Sequence, residues 1–277
     1  MVSSIRAGAL PSERARGYGP QPLSRAERRR VLDEITFALK ERFGRDLVAL
    51  GAYGSTARGA DRPYSDLELH CVLAGEDVDL DLEWSVGAWK AEVDVRSEEV
   101  LVREAVRLEG TWPITHGAYV EIMPLLGDSD VFERVRAAAL GHGDDEFEVA
   151  IHSLIVGELY ELTGKVRNLH ASGGGSATAL LATELGKYAA CLVGLANRHL
   201  YGTASSVFDE SLTLPVRPGG YDALHALLTG PGIVDIQQVA LAADRLWEGI
   251  EIWAGSCDIE LYEETAQVLE QATVDTE

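Results

Sequence analysis

GAYGSTARGADRPYSDLELHCVL, residues 51–73, decides the fold of this chain. The segment continues an apolar run, LVALGAY (47–53), that breaks at Gly54-Ser55. Placed before a helix, such a turn exposes backbone N–H groups and a hydroxyl, the elements of a phosphate cradle. Ten residues then intervene before Asp66-Leu67-Glu68-Leu69, where carboxylates alternate with leucines. On a strand, positions i and i+2 project to the same face, so Asp66 and Glu68 stand side by side while the leucines anchor the opposite face. Like charges held that close repel unless a cation lies between them. A divalent metal is the usual solution, since Mg²⁺ takes one or two carboxylates and completes its shell with water and substrate phosphates.

Outward from this stretch the texture remains that of strands, in DLELHCVL (66–73) and WKAEVDV (89–95). The second puts Lys90, Glu92 and Asp94 on one face, opposite Trp89, Ala91, Val93 and Val95. Upstream, Ser24 is placed to cap a helix running to about Arg42, with Val31, Ile35, Leu39 and Phe43 at helical spacing and Gly44 to end it. A helix over about 98–108 and a strand in AYVEIMPLL (118–126) are expected next. At GHGDDE (141–146) two glycines, with Asp144 as N-cap, mark a boundary, and the remainder is helical: one helix over 146–166, a second capped by Ser176 after the SGGGS break, and a third carrying the stripe Ile236, Val239, Ala243, Leu246, Ile250, Trp253. Trp247 and Trp253 are expected in the core, SGGGS as a linker. The fold class is therefore α+β. A mobile arm (1–23) precedes an N-terminal mixed-sheet domain (24–142) and a C-terminal helical bundle (143–277).

Composition narrows the function. With 24 Lys and Arg against 45 Asp and Glu the formal charge is −21, which excludes a cationic footprint for nucleic acid and suits a cationic small substrate. No membrane partner is expected either, since no run reads as a span and the first thirty residues, with seven arginines, lack a signal peptide's apolar region. A cytoplasmic location follows. Cys71, Cys191 and Cys257 have neither disulfide nor metal-ligand spacing, and His116 reads as a structural histidine.

Gly-Ser, ten residues, then acid-hydrophobic-acid-hydrophobic resembles the signature of the DNA polymerase beta-like nucleotidyltransferase superfamily. Together GAYGSTARGADRPYSDLELHCVL, EWSVGAWKAEVDVRSEE, WPITHGAYVEIMPL and IVGELYELTGKVRN are similar to the kanamycin nucleotidyltransferase, or aminoglycoside 4'-O-nucleotidyltransferase, family. The resemblance covers about residues 45–170. It implies transfer of a nucleoside monophosphate from ATP or another nucleoside triphosphate, with Mg²⁺, to an aminoglycoside hydroxyl. Ser55 then contacts the triphosphate, with Arg58 as the cation beside it. Asp66 and Glu68 are the metal acids, and Asp94 is a third candidate. Glu92 is implied as a contact for substrate amines, and Lys90 as a nucleotide or interface residue. In GELYELTGK, Glu158, Glu161 and Lys165 lie at i, i+3 and i+7 on one helix face. The family makes Glu161 the general base and Lys165 a nucleotide-binding lysine; Glu158 is a candidate drug contact. Gly157 departs from the family, where an acid stands one turn before the base. The resemblance also implies a homodimer with shared active sites. The alternatives are a nucleotidyltransferase of another small-molecule or protein acceptor, and a non-catalytic, antitoxin-like binding module.

Overall fold

Ser24 accepts from the Glu27 backbone N–H while the Glu27 carboxylate accepts from that of Ser24, a complete capping box that opens helix α1, Arg25–Phe43. Gly44 ends it. Val31, Leu32, Ile35 and Leu39 line its buried face, and full burial of one such side chain contributes roughly 1.5–3 kcal/mol. The structure, a computed structural model, describes residues 19–230 and 235–265. Most of the expected N-terminal arm, residues 1–18, lies outside the described residues. Its last part is hydrogen-bonded to the body, Gln21 N–H to Ala88 and Leu23 N–H to Pro63.

Five strands form one mixed sheet: β1 Leu47–Ala52, β2 Leu67–Leu73, β3 Asp79–Ser85, β4 Lys90–Ser97 and β5 Met123–Gly127, in the order β3-β4-β2-β1-β5. β2 and β4 run parallel, and the other neighbours antiparallel. A short helix α2, Gly54–Ala57, joins β1 to β2; α3, Glu98–Ala105, follows β4. Short helices α4, Trp112–Thr115, and α5, Gly117–Val120, precede β5, and α6, Asp130–Leu140, follows it. One sheet face, with Leu67, Leu69, Ala91 and Val93, packs on α1. On the other, Ala49 and Val72 pack with Leu101, Val131, Phe132 and Val135 of α3 and α6. That second apolar layer covers only part of its face. The beginnings of β2 and β4 are left for charged residues.

The chain divides into two units, one of residues up to Ala105 with Ala118–Ala139, the other of Val106–Gly117 with Leu140 onward. This division differs from the expected boundary at 142/143. Trp112, 2% exposed, supplies the reason: it packs edge-on against Phe147, at 5.3 Å between ring centres, and belongs to the helical core.

The helical unit contains α7 Asp144–Leu154, a π-helical turn Ile155–Leu159, α8 Tyr160–Ala171, α9 Thr178–Ala196, α10 Val207–Ser211, α11 Tyr221–Thr229 and α12 Ile236–Ser256. Gly143, not Asp144, caps α7, with Glu146 accepting from its N–H; Ala177, not Ser176, stands at the N-cap of α9. Helix α9 alone among the described helices is long and apolar enough to cross a membrane. More than half of it (56%) is buried inside the protein, which accounts for that apolarity as core. Trp247 and Trp253 belong to the same core, and α12 buries Val239, Ala243, Leu246 and Ile250 of its stripe. The fold class is α+β, as expected.

Candidate active site

Strand register places the charged residues in rows. Glu83 of β3 faces Glu92 of β4, which faces Glu68 of β2; one step along, Asp81 faces Asp94 and Asp94 faces His70; the next row sets Asp79 beside Arg96. Lys90, Glu92 and Asp94 therefore do share a face, as their alternation demands. Arg96, only 8% exposed in its side chain, bonds Asp79, Asp81 and Glu104 and neutralises the row nearest the apolar layer. Lys90 bonds Glu92 and, at 2.6 Å, Glu83. Both bonds, Glu83 first, raise the ammonium above the usual lysine value.

The Gly54-Ser55 turn sits directly over this face. Tyr53 N–H donates to the Glu68 carbonyl at 2.9 Å, and Gly54 adopts φ +67. A Cβ on Gly54 would lie 1.8 Å from Glu68 Oε2, so only glycine lets the turn approach the carboxylate. Ser55 is the second residue of the four-residue α2 and Arg58 its C-cap; the Arg58 guanidinium lies 3.2 Å from Glu121. The loop between turn and strand is held from α1. Buried Arg28 donates to the carbonyls of Arg62 and Ser65 and ion-pairs with Asp61 at 3.1 Å. Nothing in the sequence announces that role for Arg28, since it depends on a loop more than thirty residues away.

Burial, with Asp66 and Glu92 as neighbours, pushes the Glu68 carboxyl up to about 7 despite the opposing charge of Arg58. Asp94 moves the other way. Burial alone would raise it, but the His70 ring, the Tyr53 hydroxyl and Arg96 outweigh burial and hold it below the ordinary carboxylate value. Neither the Asp66 nor the Glu68 carboxylate makes a hydrogen bond or ion pair with any described residue. Carboxylate oxygens left unbonded by the described residues are the hard donors that Mg²⁺ takes, so the residues fit the metal that the resemblance implies. Among the described residues no three His, Cys, Asp or Glu side chains gather as a metal cluster. The fit is that of a pair completed by substrate.

Glu158, Glu161 and Lys165 lie in the helical unit. Lys165 Nζ bonds Glu161 Oε1 at 2.7 Å across one turn of α8, which raises the lysine, and both side chains are exposed. The single helix expected over 146–166 is interrupted: residues 155–159 form a π-turn, in which Tyr160 N–H reaches back to the Ile155 carbonyl. Glu158 belongs to this wider turn, so its i, i+3 relation to Glu161 is not that of a regular helix. Gly157, in the same turn, has open space where a Cβ would stand, with nothing within 4 Å. His116 is buried in this unit, its Nδ1 3.0 Å from Thr115 Oγ1. Burial first, then neighbouring His142, push its imidazole down to about 4.

Glu83, Tyr53 and His70 join the face although sequence reasoning does not single them out. The alternation Asp79-Leu80-Asp81-Leu82-Glu83-Trp84 carries a signal for Glu83, but acids on its exposed face disguise it as loop. Tyr53 and His70 read as filler next to the motif residues.

Similarity to known proteins runs along most of the chain. Residues 129–260 match the model of the KNTase C-terminal domain. Two aminoglycoside nucleotidyltransferases (4'), one from a Bacillus species and one from Staphylococcus aureus, are each 35% identical to the chain over 235 residues, which is 85% of this chain and 93% of the relative. A nucleotidyltransferase-like protein from Exiguobacterium sibiricum superposes with a TM-score of 0.51 at 11% identity, covering 87% of this chain and 84% of that one, a likeness of fold.

Proposed function

This chain belongs to the aminoglycoside nucleotidyltransferase (4') family and is a transferase, and from that premise we propose that it transfers a nucleoside monophosphate from a nucleoside triphosphate, ATP foremost, to the 4'-hydroxyl of kanamycin-like aminoglycosides and so confers resistance to them. The observation that carries this reading is Glu68 beneath the glycine-dependent turn and in register with Glu92, itself paired to Glu83, with Asp66 beside it just before β2 begins and neither acid bonded to a described residue. Asp66 and Glu68 hold Mg²⁺. Bound there, the ion offsets negative charge on the phosphates.

The remaining work falls to the chain. Ser55 and the α2 backbone orient phosphate oxygens; Arg58 exchanges Glu121 for the triphosphate, and Lys165 and Lys90 add cationic contacts. Glu161 takes the proton of the 4'-hydroxyl as its oxygen bonds to the α-phosphorus in line, while the bond from that phosphorus to the bridging oxygen breaks and pyrophosphate leaves. Glu92 and Glu158 receive ammonium groups of the drug, and the −21 charge steers a polycation toward them. We further propose a cytoplasmic homodimer in which each active site is shared between chains. A mass spectrum of kanamycin after incubation with the protein and Mg-ATP tests the reaction. The expected product is kanamycin plus one adenylyl group, absent with Asp66→Asn. Unmodified kanamycin alongside an adenylylated lincosamide or protein would assign the chain another acceptor. No adenylyl transfer to any acceptor would leave a binding module.

A further inference from the structure

On the strand face beside the proposed metal pair, one cluster of side chains has no part in the reaction as described. His70, 2% exposed, is stacked between Tyr53 (4.3 Å between ring centres, 22° between planes) and Tyr119 (5.6 Å, 14°). Its Nε2 lies 3.1 Å from the Ala118 carbonyl, which only accepts, so that nitrogen donates. Its Nδ1 lies 3.3 Å from Asp94 Oδ2, within ion-pair range. The same Oδ2 accepts a hydrogen bond from the Tyr53 hydroxyl at 3.0 Å.

Sheet order gives this cluster its meaning. β2 lies between β1 and β4, and Tyr53 follows the last residue of β1, so its ring reaches over His70 of β2 to Asp94 of β4. Tyr53 is thus held at both ends, by its backbone N–H on the Glu68 carbonyl and by its hydroxyl on Asp94. Gly54 and Ser55 come next in the chain. Asp94 Oδ2 accepts from the Tyr53 hydroxyl and lies within ion-pair range of His70 Nδ1, whereas the Asp66 and Glu68 carboxylates bond none of the described residues.

We propose that Tyr53, His70 and Asp94 form a positioning network that fixes the Gly54-Ser55 turn over the Asp66–Glu68 pair, and that Asp94 serves this network instead of binding the metal. The proposal rests on the reading of that pair as the metal site. Tyr53 and Asp94 are positioning residues, acting through the turn on the triphosphate. Ordering the turn before substrate arrives keeps the phosphates aligned for attack, and loosening it forfeits that alignment.

The test is Mn²⁺ binding by electron paramagnetic resonance, with a non-hydrolysable ATP analogue at a concentration that saturates every variant, on wild type, Asp66→Asn, Asp94→Asn and Tyr53→Phe, with steady-state kinetics, kanamycin calorimetry and thermal melts on the same proteins. Asp66→Asn, which removes a direct carboxylate ligand, should weaken Mn²⁺ binding at least about tenfold, and Asp94→Asn, which removes none, by less than about twofold. Tyr53→Phe keeps the ring stack and loses only the hydroxyl. It should raise KM for the nucleotide about tenfold, with kanamycin affinity unchanged. A merely structural role would lower the melting temperature without this selective effect on the nucleotide. Loss of Mn²⁺ affinity in Asp94→Asn equal to that in Asp66→Asn would overturn the proposal, as would an unchanged nucleotide KM in Tyr53→Phe. Unchanged Mn²⁺ affinity in Asp66→Asn would instead overturn the metal assignment, and the proposal with it.

Discussion

Gly54 has φ +67 and faces Glu68 Oε2, so Gly54→Ala must either rotate the turn or displace the carboxylate. Both routes cost function. The expected result is a loss of about 1–3 kcal/mol of stability and at least about tenfold in turnover, read by urea unfolding and kinetics. Gly44 is the control. It also has positive φ, +54, but nothing stands within 4 Å of its missing Cβ, so Gly44→Ala should cost about 1 kcal/mol and leave turnover unchanged. At His116 the expectation concerns pH. Its imidazole is lowered from 6.5 to about 4 in the fold, so between those values the unfolded chain binds more protons than the folded one. The stability it contributes is complete above about 6.5 and is lost as pH falls toward 4, up to about 3 kcal/mol. Urea titrations at pH 7.5, 5.5 and 4.5 should show His116→Gln losing less stability on acidification than wild type by that order.

Elements with a regular period and a clear stop are legible in the sequence alone. α1 announces itself through Ser24, the apolar spacing and Gly44, and β2 and β4 through alternation of apolar with polar residues over Leu67–His70 and Lys90–Arg96. Ser24→Ala should therefore cost about 1 kcal/mol in urea unfolding, because it removes one half of a capping box and leaves the Glu27 N–H without its partner. Glu68 of the proposed metal pair and the Lys90, Glu92, Asp94 face are readable for the same reason, while Asp66, expected on the strand, stands just before it. Other elements hide from periodicity. The strand expected in AYVEIMPLL starts only at Met123, as Met123–Gly127; residues 117–120 form a helical turn whose Ala118 carbonyl meets His70, a tertiary contact with no local signal. The π-turn at 155–159 adds its extra residue within a continuous helix, and five residues are too few to shift an apolar period visibly. The Tyr53–His70–Asp94 cluster depends on three strands coming together, so single-strand patterns supply Asp94 but not its partners.

At the scale of the molecule, Asp66 and Glu68 belong to the sheet unit and Glu161 and Lys165 to the helical unit, the two halves of the proposed site. In the homodimer proposed above, these halves come from different chains, and a two-fold axis makes two equivalent sites. Each defect then follows its own chain. Asp66→Asn and Glu161→Gln homodimers should each be inactive, because every site would carry one fault. Unfolded together and refolded as a mixture, the two variants pair at random, so about half of the dimers are mixed. A mixed dimer has one site with both faults and one with neither. The mixture should therefore recover about 25% of wild-type activity, measured as adenylyl-kanamycin formed per chain. Sites built within single chains would each keep one fault, and recovery would be nil even where native mass spectrometry shows mixed dimers. That result would remove the sharing while leaving the roles of Asp66 and Glu161 untouched, since neither role depends on which chain supplies the partner.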